Sequence, residues 1–473
     1  MAFALRVAAV PATALLYFFG TGPHPIPWLT WVAPLPILLL APRVPARVAA
    51  VAAFVAYALG GANVWHYYAV DLELPVPLLV IPFVGFPLLL TGIVLLFRMV
   101  LLRGNGFLAA AVFPAGVAAA EYLVSVATPA GANWSLAPTQ ADLLPVLQVA
   151  SLTGGWGVSF LVSLLPAVLA VARPRVVVAG VLALGLAVGF GVTRLAVDVP
   201  SSPRITLLSA RTDRDEVPVD SPAGRALVAA YVDWLRTAPD DGTKIVVLPE
   251  KGFLVADPAL LDPLAEAARA RGVTVVVGAV EGGYNTAFAL SERTVVYRKH
   301  HLVPGLEDHL RAGTDLAFAP DPRIGLAICA DLGHPEFGRA YGRAGAGLLL
   351  VPALDFTVDA WSQSRVQLLR GVESGFSVAR SARLGYLTLS DHTGRVVAQA
   401  ATGSATPFTS VSGTLPMPSG GTPYTRWGDW FAWLCLVVVG AGVVSSSLRS
   451  ASSEKDGAGS RGGSGRWNRR VNA

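Results

Sequence analysis

Charge is scarce in this chain, and lysine is the scarcest charged residue. Only 14% of its 473 residues are charged, and four lysines (Lys244, Lys251, Lys299 and Lys455) stand against 32 arginines. A soluble globular chain carries nearer a quarter charged residues, so a wholly soluble protein is excluded. With 53% hydrophobic residues and a mean hydropathy of +0.55, a disordered chain is excluded as well. Two cysteines cannot make a disulfide framework. The formal net charge of +5 does not point to nucleic acid, because the arginines stand singly at the ends of apolar runs and the only basic cluster is the C-terminal tail.

The scarcity is uneven. Residues 1–200 hold five acids (Asp71, Glu73, Glu121, Asp142, Asp198), eight arginines and no lysine. Seven apolar runs there approach the roughly 17–25 residues that cross a bilayer: about 4–20, 26–42, 48–69, 76–97, 107–128, 156–172 and 176–193, with an eighth at about 430–448. The first run ends Phe18-Phe19-Gly20 without a persuasive cleavage site, so it reads as a span rather than a signal peptide.

Short loops rich in arginine stay cytoplasmic. Arg43 and Arg47, Arg98 and Arg103, and Arg173 and Arg175 alternate with loops that carry Asp71, Glu73 and Asp142. An even number of spans then places a polar insert, about 200–425, on the extracytoplasmic side, and a disordered basic tail, 449–473, in the cytoplasm. The chain thus divides into a transmembrane part at 1–199, a catalytic insert at 200–425, a last span at 426–448 and the tail. Glu121 interrupts an apolar run, where a mid-bilayer carboxylate costs about 2–3 kcal/mol. It either lines a cavity leading to a lipid substrate or is hydrogen-bonded for packing near the outer interface.

In the insert, short β-branched runs recur at Arg204–Ala210, Lys244–Glu250, Val273–Val280, Thr294–Lys299, Arg323–Cys329, Gly347–Ala353, Phe376–Arg380, Tyr386–Ser390 and Val396–Ala400. Helical patterns lie between several of them, at about 222–238, 258–271, 335–345 and 359–374. Strand and helix alternate, which predicts a layered α/β domain.

Cysteine is the sharpest clue. Cys435 lies in the last apolar run, whereas Cys329 stands alone in the insert, in a compartment that favours disulfides. It follows an apolar strand, where α/β folds present reactive groups. Glu250 and Lys299 occupy equivalent places. A thiol with a pKa of about 8.5 needs a base and a cation; a carboxylate in a low-dielectric cleft suits Glu250 as the base, and an ammonium at Lys299 suits a developing oxyanion. Lys251, next to Glu250 in an extended chain, is expected to point away as a surface charge. Asp331 either positions a loop or caps a helix start. His300, His301 and His309 lack a recognised zinc spacing, so neither metal nor cofactor is expected. Trp427, Trp430 and Trp433 read as an interfacial belt.

These residues resemble the nitrilase superfamily, and within it the membrane-embedded apolipoprotein N-acyltransferases. The similar segments are "VVLPEKGF" around Glu250, "VYRKHHLVPGLEDH" around Lys299 and "GLAICADLGHPEFGR" around Cys329, with "TPYTRWGDW" leading into the last span. The resemblance implies an αββα sandwich inserted in an all-α bundle of about eight helices in the bacterial inner membrane. It implies that Cys329 takes an acyl chain from a phospholipid as a thioester and passes it to the N-terminal amine of a diacylglyceryl-cysteine lipoprotein. By motif position Glu250 is the base, Lys299 the oxyanion stabiliser and Glu307 an additional carboxylate. Leu248-Pro249-Glu250 stands where the family usually has Trp-Pro-Glu, and Cys329-Ala330-Asp331 where it commonly has Cys-Tyr-Glu. Two other readings remain at this level: a membrane-anchored amidase in which water resolves the thioester, and a binding protein with a decayed site. Apolar loops over Cys329 would favour transfer over hydrolysis.

Overall fold

The computed structural model describes residues 2–403 and 406–459. Among the described residues, four helices are long and apolar enough to cross a membrane: Ala46–Val64, Val76–Leu102, Gly106–Ala127 and Pro174–Leu195. Shorter apolar helices occupy Ala8–Gly20, Leu144–Thr153, Gly155–Val171 and Trp430–Ser445. The run expected to span at 26–42 does not form one helix. It breaks into Pro27–Thr30, Leu35–Leu40 and a single 3-10 turn, Ala41–Arg43. Pro34, Pro36 and Pro42 explain the breaks, since proline removes an N–H and its ring clashes with the preceding turn. The last helix runs on to Gly459, past the expected end of the span, and residues 460–473 of the expected tail lie outside the described residues.

The insert builds two sheets. The first orders Phe408–Pro416, Ser201–Ala210, Thr243–Val247, Thr274–Glu281, Phe253–Val255 and Val217–Pro218, and Tyr284–Leu290 and Val295–Arg298 extend it from Thr274–Glu281. The second orders Val396–Ala401, Tyr386–Ser390, Ser377–Arg383, Leu348–Leu354, Ile324–Leu326 and Ala317–Phe318. One apolar core lies between them, joining Ile205, Val247 and Val276 of the first sheet to Leu326, Leu350 and Val378 of the second. The other face of the first sheet packs on helices Pro222–Thr237 and Asp262–Arg271 through Val228, Leu235, Leu264 and Ala268.

Helix Ala360–Ser374 joins the insert to the bundle. It contacts strands Ser377–Arg383 and Tyr386–Ser390, while Leu368, Leu369 and Val372 pack against Ala137, Leu147 and Val158 of the membrane part. A buried polar bond reinforces the joint, with the Gly155 amide donating to Glu373 Oε1 at 2.7 Å.

Two strands position the chemistry. Thr243–Val247 and Ile324–Leu326 each run in parallel with a neighbour, and each ends three residues before a candidate residue, Glu250 and Cys329. Both residues therefore sit in the turns that follow their strands, not at the strand ends the β-branched runs suggest.

Candidate active site

Glu250, Lys299, Glu307 and Cys329 line one cavity of about 200 Å³. Each arrives from a different turn, and the bonds that fix those turns explain the convergence. The Glu250 amide donates to Ala353 O of the second sheet at 3.2 Å. The Lys299 amide donates to Asn285 O at 2.9 Å, and Lys299 O accepts from Gly313 N at 2.8 Å. Cys329 adopts φ 38°, a left-handed conformation costing a non-glycine residue about 1–2 kcal/mol. It opens the 3-10 turn Cys329–Gly333, and its carbonyl accepts from Gln367 Nε2 at 3.1 Å.

Asp331 holds that turn to the Lys299 loop. Its Oδ1 accepts from the amides of His300 (3.0 Å) and His301 (2.9 Å), and its Oδ2 from the Ile328 amide (3.0 Å) and the Tyr297 hydroxyl (2.7 Å). One carboxylate thus both caps the turn and positions the loop. Burial would raise its pKa, but hydrogen bonds from His301 and Tyr297 and the charge of Lys299 hold it below the usual carboxylate range.

The ionic centre is compact. Lys299 Nζ lies 2.8 Å from Glu250 Oε1 and 2.8 Å from Glu307 Oε2, with all three side chains buried. An ammonium has three N–H donors, so one remains after these two bonds. Burial alone would lower the pKa of Lys299; the two carboxylates outweigh it and raise it. Burial would likewise raise Glu307, yet Lys299 and Lys251 pull it down to about 2. The Cys329 thiol is pushed well up by burial and further by the negative charge of Glu250, with Lys299 and Arg380 acting against this. At rest the sulfur is therefore a protonated thiol that needs a base at the moment of attack. Glu250 Oε2 is buried in the same cavity without a hydrogen-bond partner, while the thiol itself donates to Leu354 O at 3.6 Å.

Two members of this centre escape sequence reasoning. Asn285 Nδ2 donates to Glu250 Oε1 at 2.6 Å and to Glu307 Oε1 at 2.7 Å, binding the two carboxylates to one amide. Its strand, Tyr284–Leu290, is rich in small residues and lacks the β-branched signature. Lys251 is not a surface charge: it is buried, lines the cavity, and places Nζ 3.1 Å from Glu307 Oε1. The expectation assumed an extended chain, whereas Lys251 has φ 50°. The turn brings both adjacent side chains to the same cavity.

Glu121 is not brought to the thiol. It accepts from the Leu136 amide at 2.8 Å and lines a neighbouring apolar cavity with Tyr17, Tyr57 and Phe86. The two cavities share Tyr67, Tyr68, Asn133, Trp134, Ser362 and Val366 as walls. His301 and His334 stack with ring centroids 3.7 Å apart and planes 13° apart, beside Glu336. Ring nitrogens bind metals in the ring plane, and near-parallel planes do not converge on one ion. His309 is not part of this group.

Apolar side chains line the thiol's cavity from both parts of the chain: Leu72, Leu74 and Leu78 from the N-terminal helical region, Leu302, Val303 and Leu306 from the loop after Lys299. The carbon-nitrogen hydrolase family model matches residues 217–408, the stretch that holds Glu250, Lys299, Glu307 and Cys329. The chain is an enzyme of that superfamily. The model for the apolipoprotein N-acyltransferase N-terminal domain covers residues 13–168. The apolipoprotein N-acyltransferase of Geobacter metallireducens is 29% identical over 377 residues, 67% of this chain and 70% of that one. That of Thermotoga maritima is 29% identical over 144 residues, 28% of this chain and 27% of its own length. Over both regions the chain is similar to the apolipoprotein N-acyltransferases of the nitrilase superfamily. Among solved structures, a mutant amidase from Nesterenkonia sp. AN1 is similar at 20% identity and a TM-score of 0.40, covering 50% of this chain and 97% of that one.

Proposed function

We propose that the protein transfers an acyl chain from a phospholipid, through a thioester on Cys329, to the N-terminal amine of a diacylglyceryl-cysteine lipoprotein. Glu250 Oε2 takes the proton of the Cys329 thiol as sulfur attacks the ester carbonyl. The remaining N–H of Lys299 meets the oxygen that becomes negative, a contact present only in the tetrahedral state. Collapse expels the lysophospholipid alkoxide, which recovers the proton from Glu250. In the second half-reaction the amine attacks the thioester, Glu250 accepts a proton from the nitrogen, and the thiolate leaves and is reprotonated. Glu307 anchors Lys299, and Asp331 holds the nucleophile's turn; Glu121 belongs to the wall of the adjoining apolar cavity.

The observation that carries this reading is the apolar lining that side chains of the N-terminal helical region and of the loop after Lys299 give to the cavity holding Cys329. A lipid acyl chain would lie against those walls, at about 0.8 kcal/mol per methylene removed from water, whereas hydrolysis of a small amide has no use for them. The same reading places the protein in the inner membrane with several spans, the αββα unit at about 200–425 on the extracytoplasmic side, where both lipid substrates would be met. Incubation with phospholipid and a diacylated lipopeptide should yield an N-acylated lipopeptide by mass spectrometry. Release of free fatty acid alone would favour the amidase-type hydrolysis instead.

A further inference from the structure

The cavity holds more charge than the thiol chemistry requires. Glu250 and Glu307 share one donor, Asn285 Nδ2, at 2.6 and 2.7 Å, and one ammonium, Lys299 Nζ, at 2.8 Å each. Without a further cation, two buried carboxylates against one ammonium would leave an uncompensated negative charge. Glu250 Oε2 is buried with no hydrogen-bond partner. Glu307, by contrast, has both oxygens engaged, by Asn285 and Lys251 on one side and by Lys299 and the Val303 amide (2.8 Å) on the other. A proton settling on Glu250 would remove the acceptor needed by Cys329.

We propose that Lys251 is a positioning residue whose ammonium balances the second carboxylate and so keeps Glu250 able to accept the thiol proton. Lys251 reaches the cavity only because its backbone turns. With φ 50°, and its carbonyl held by the Glu216 amide at 2.7 Å, the side chain passes inward beside that of Glu250. Its Nζ stands 3.1 Å from Glu307 Oε1 and 3.9 Å from Glu216 Oε1, and Glu216 is the more exposed partner. The other titratable groups facing the same space are Glu250, Lys299, Cys329, His334, Asp359 and the hydroxyls of Tyr67 and Tyr68. With Lys251 and Lys299 charged, the four central groups sum to zero when both glutamates are ionised. Lys251 pairs with Glu307 and Glu216 rather than with the sulfur, and acts through Glu307.

The proposal rests on the reading of Glu250 as the base, and the test separates the two. Thioester formation is followed over pH in single turnovers with a phospholipid donor, using the full chain in lipid nanodiscs, for wild type and for Lys251→Met, Lys251→Gln and Lys251→Arg. Removing a positive charge raises the pKa of the carboxylate pair. On acidification the neutral variants should therefore begin to lose activity at a higher pH than wild type, with the acid limb displaced upward by about one unit or more and the alkaline plateau near the wild-type rate. Lys251→Arg should keep the wild-type limb. The proposal is overturned if the neutral variants lose the same factor at every pH, which marks a structural role, or if their acid limb stays in place. Should Met fail to fold, Gln, which retains a polar end, gives the same readout. Thioester formation at wild-type rates in Glu250→Gln would instead sink the base assignment itself.

Discussion

Replacing Lys299 removes a charge with two partners and no solvent. Its ammonium is 1% exposed, and both carboxylates it bonds at 2.8 Å are 2% exposed, so solvent screening does not soften the loss. Breaking such a buried pair from one side costs about 3–5 kcal/mol of stability. Losing the oxyanion donor costs about 10²–10³ in rate. Lys299→Met should therefore both unfold at lower temperature and slow thioester formation by at least that factor. Lys299→Arg discriminates further. A planar guanidinium can pair bidentately with one carboxylate, but it cannot place one N–H on each of two carboxylates and a third on a substrate oxygen from a single nitrogen. It should recover much of the stability and little of the rate. Thermal unfolding in detergent and single-turnover thioester formation report the two quantities separately. Near-normal rates for Lys299→Arg would refute the oxyanion role and leave the lysine a structural cation.

Other perturbations carry equally definite outcomes. Cys329→Ser should abolish transfer while leaving membrane insertion and thermal stability near wild type, as read by activity and unfolding. Gly278→Ala should cost about 1–3 kcal/mol and lower activity, because the new Cβ would meet Pro249 O at 2.3 Å and Glu250 Cα at 2.6 Å. Asp359 has its pKa raised to about 7, first by burial and then by Asp355. A raised carboxyl pKa means stability that is full below the unfolded value of about 3.9 and is lost as pH rises through about 7. Asp359→Asn should flatten that decline in unfolding measured from pH 4 to 8.

Much of this organisation was legible in the chain. Apolar runs ending at Glu250, Lys299 and Cys329 told that each would leave its strand toward a common cleft, and the three line one cavity. The lone Cys329 stood out because nothing in the insert could pair with it. What escaped reading was local backbone geometry. The inward turn at Lys251 depends on φ 50°, which no pattern of alternation announces. Asn285 lies on a strand of small residues, whose pairing with Thr274–Glu281 and Val295–Arg298 comes from the sheet rather than from its own propensity. The run at 26–42 read as a span by hydropathy alone, while its prolines set a different path. Glu121 stayed open between two readings because the partner that engages it, the Leu136 amide, belongs to a loop fifteen residues on.

Transfer by this route requires a lipid acyl chain to pass through one sulfur. Purified protein quenched in acid within the first turnover on a phospholipid of defined chains, digested and weighed peptide by peptide, addresses it directly. The peptide containing Cys329 should gain the mass of one acyl group, lose it to hydroxylamine, and discharge it onto an added diacylated lipopeptide. An N-acylated product formed while that peptide stays unmodified, or in the Cys329→Ser variant, would contradict the account.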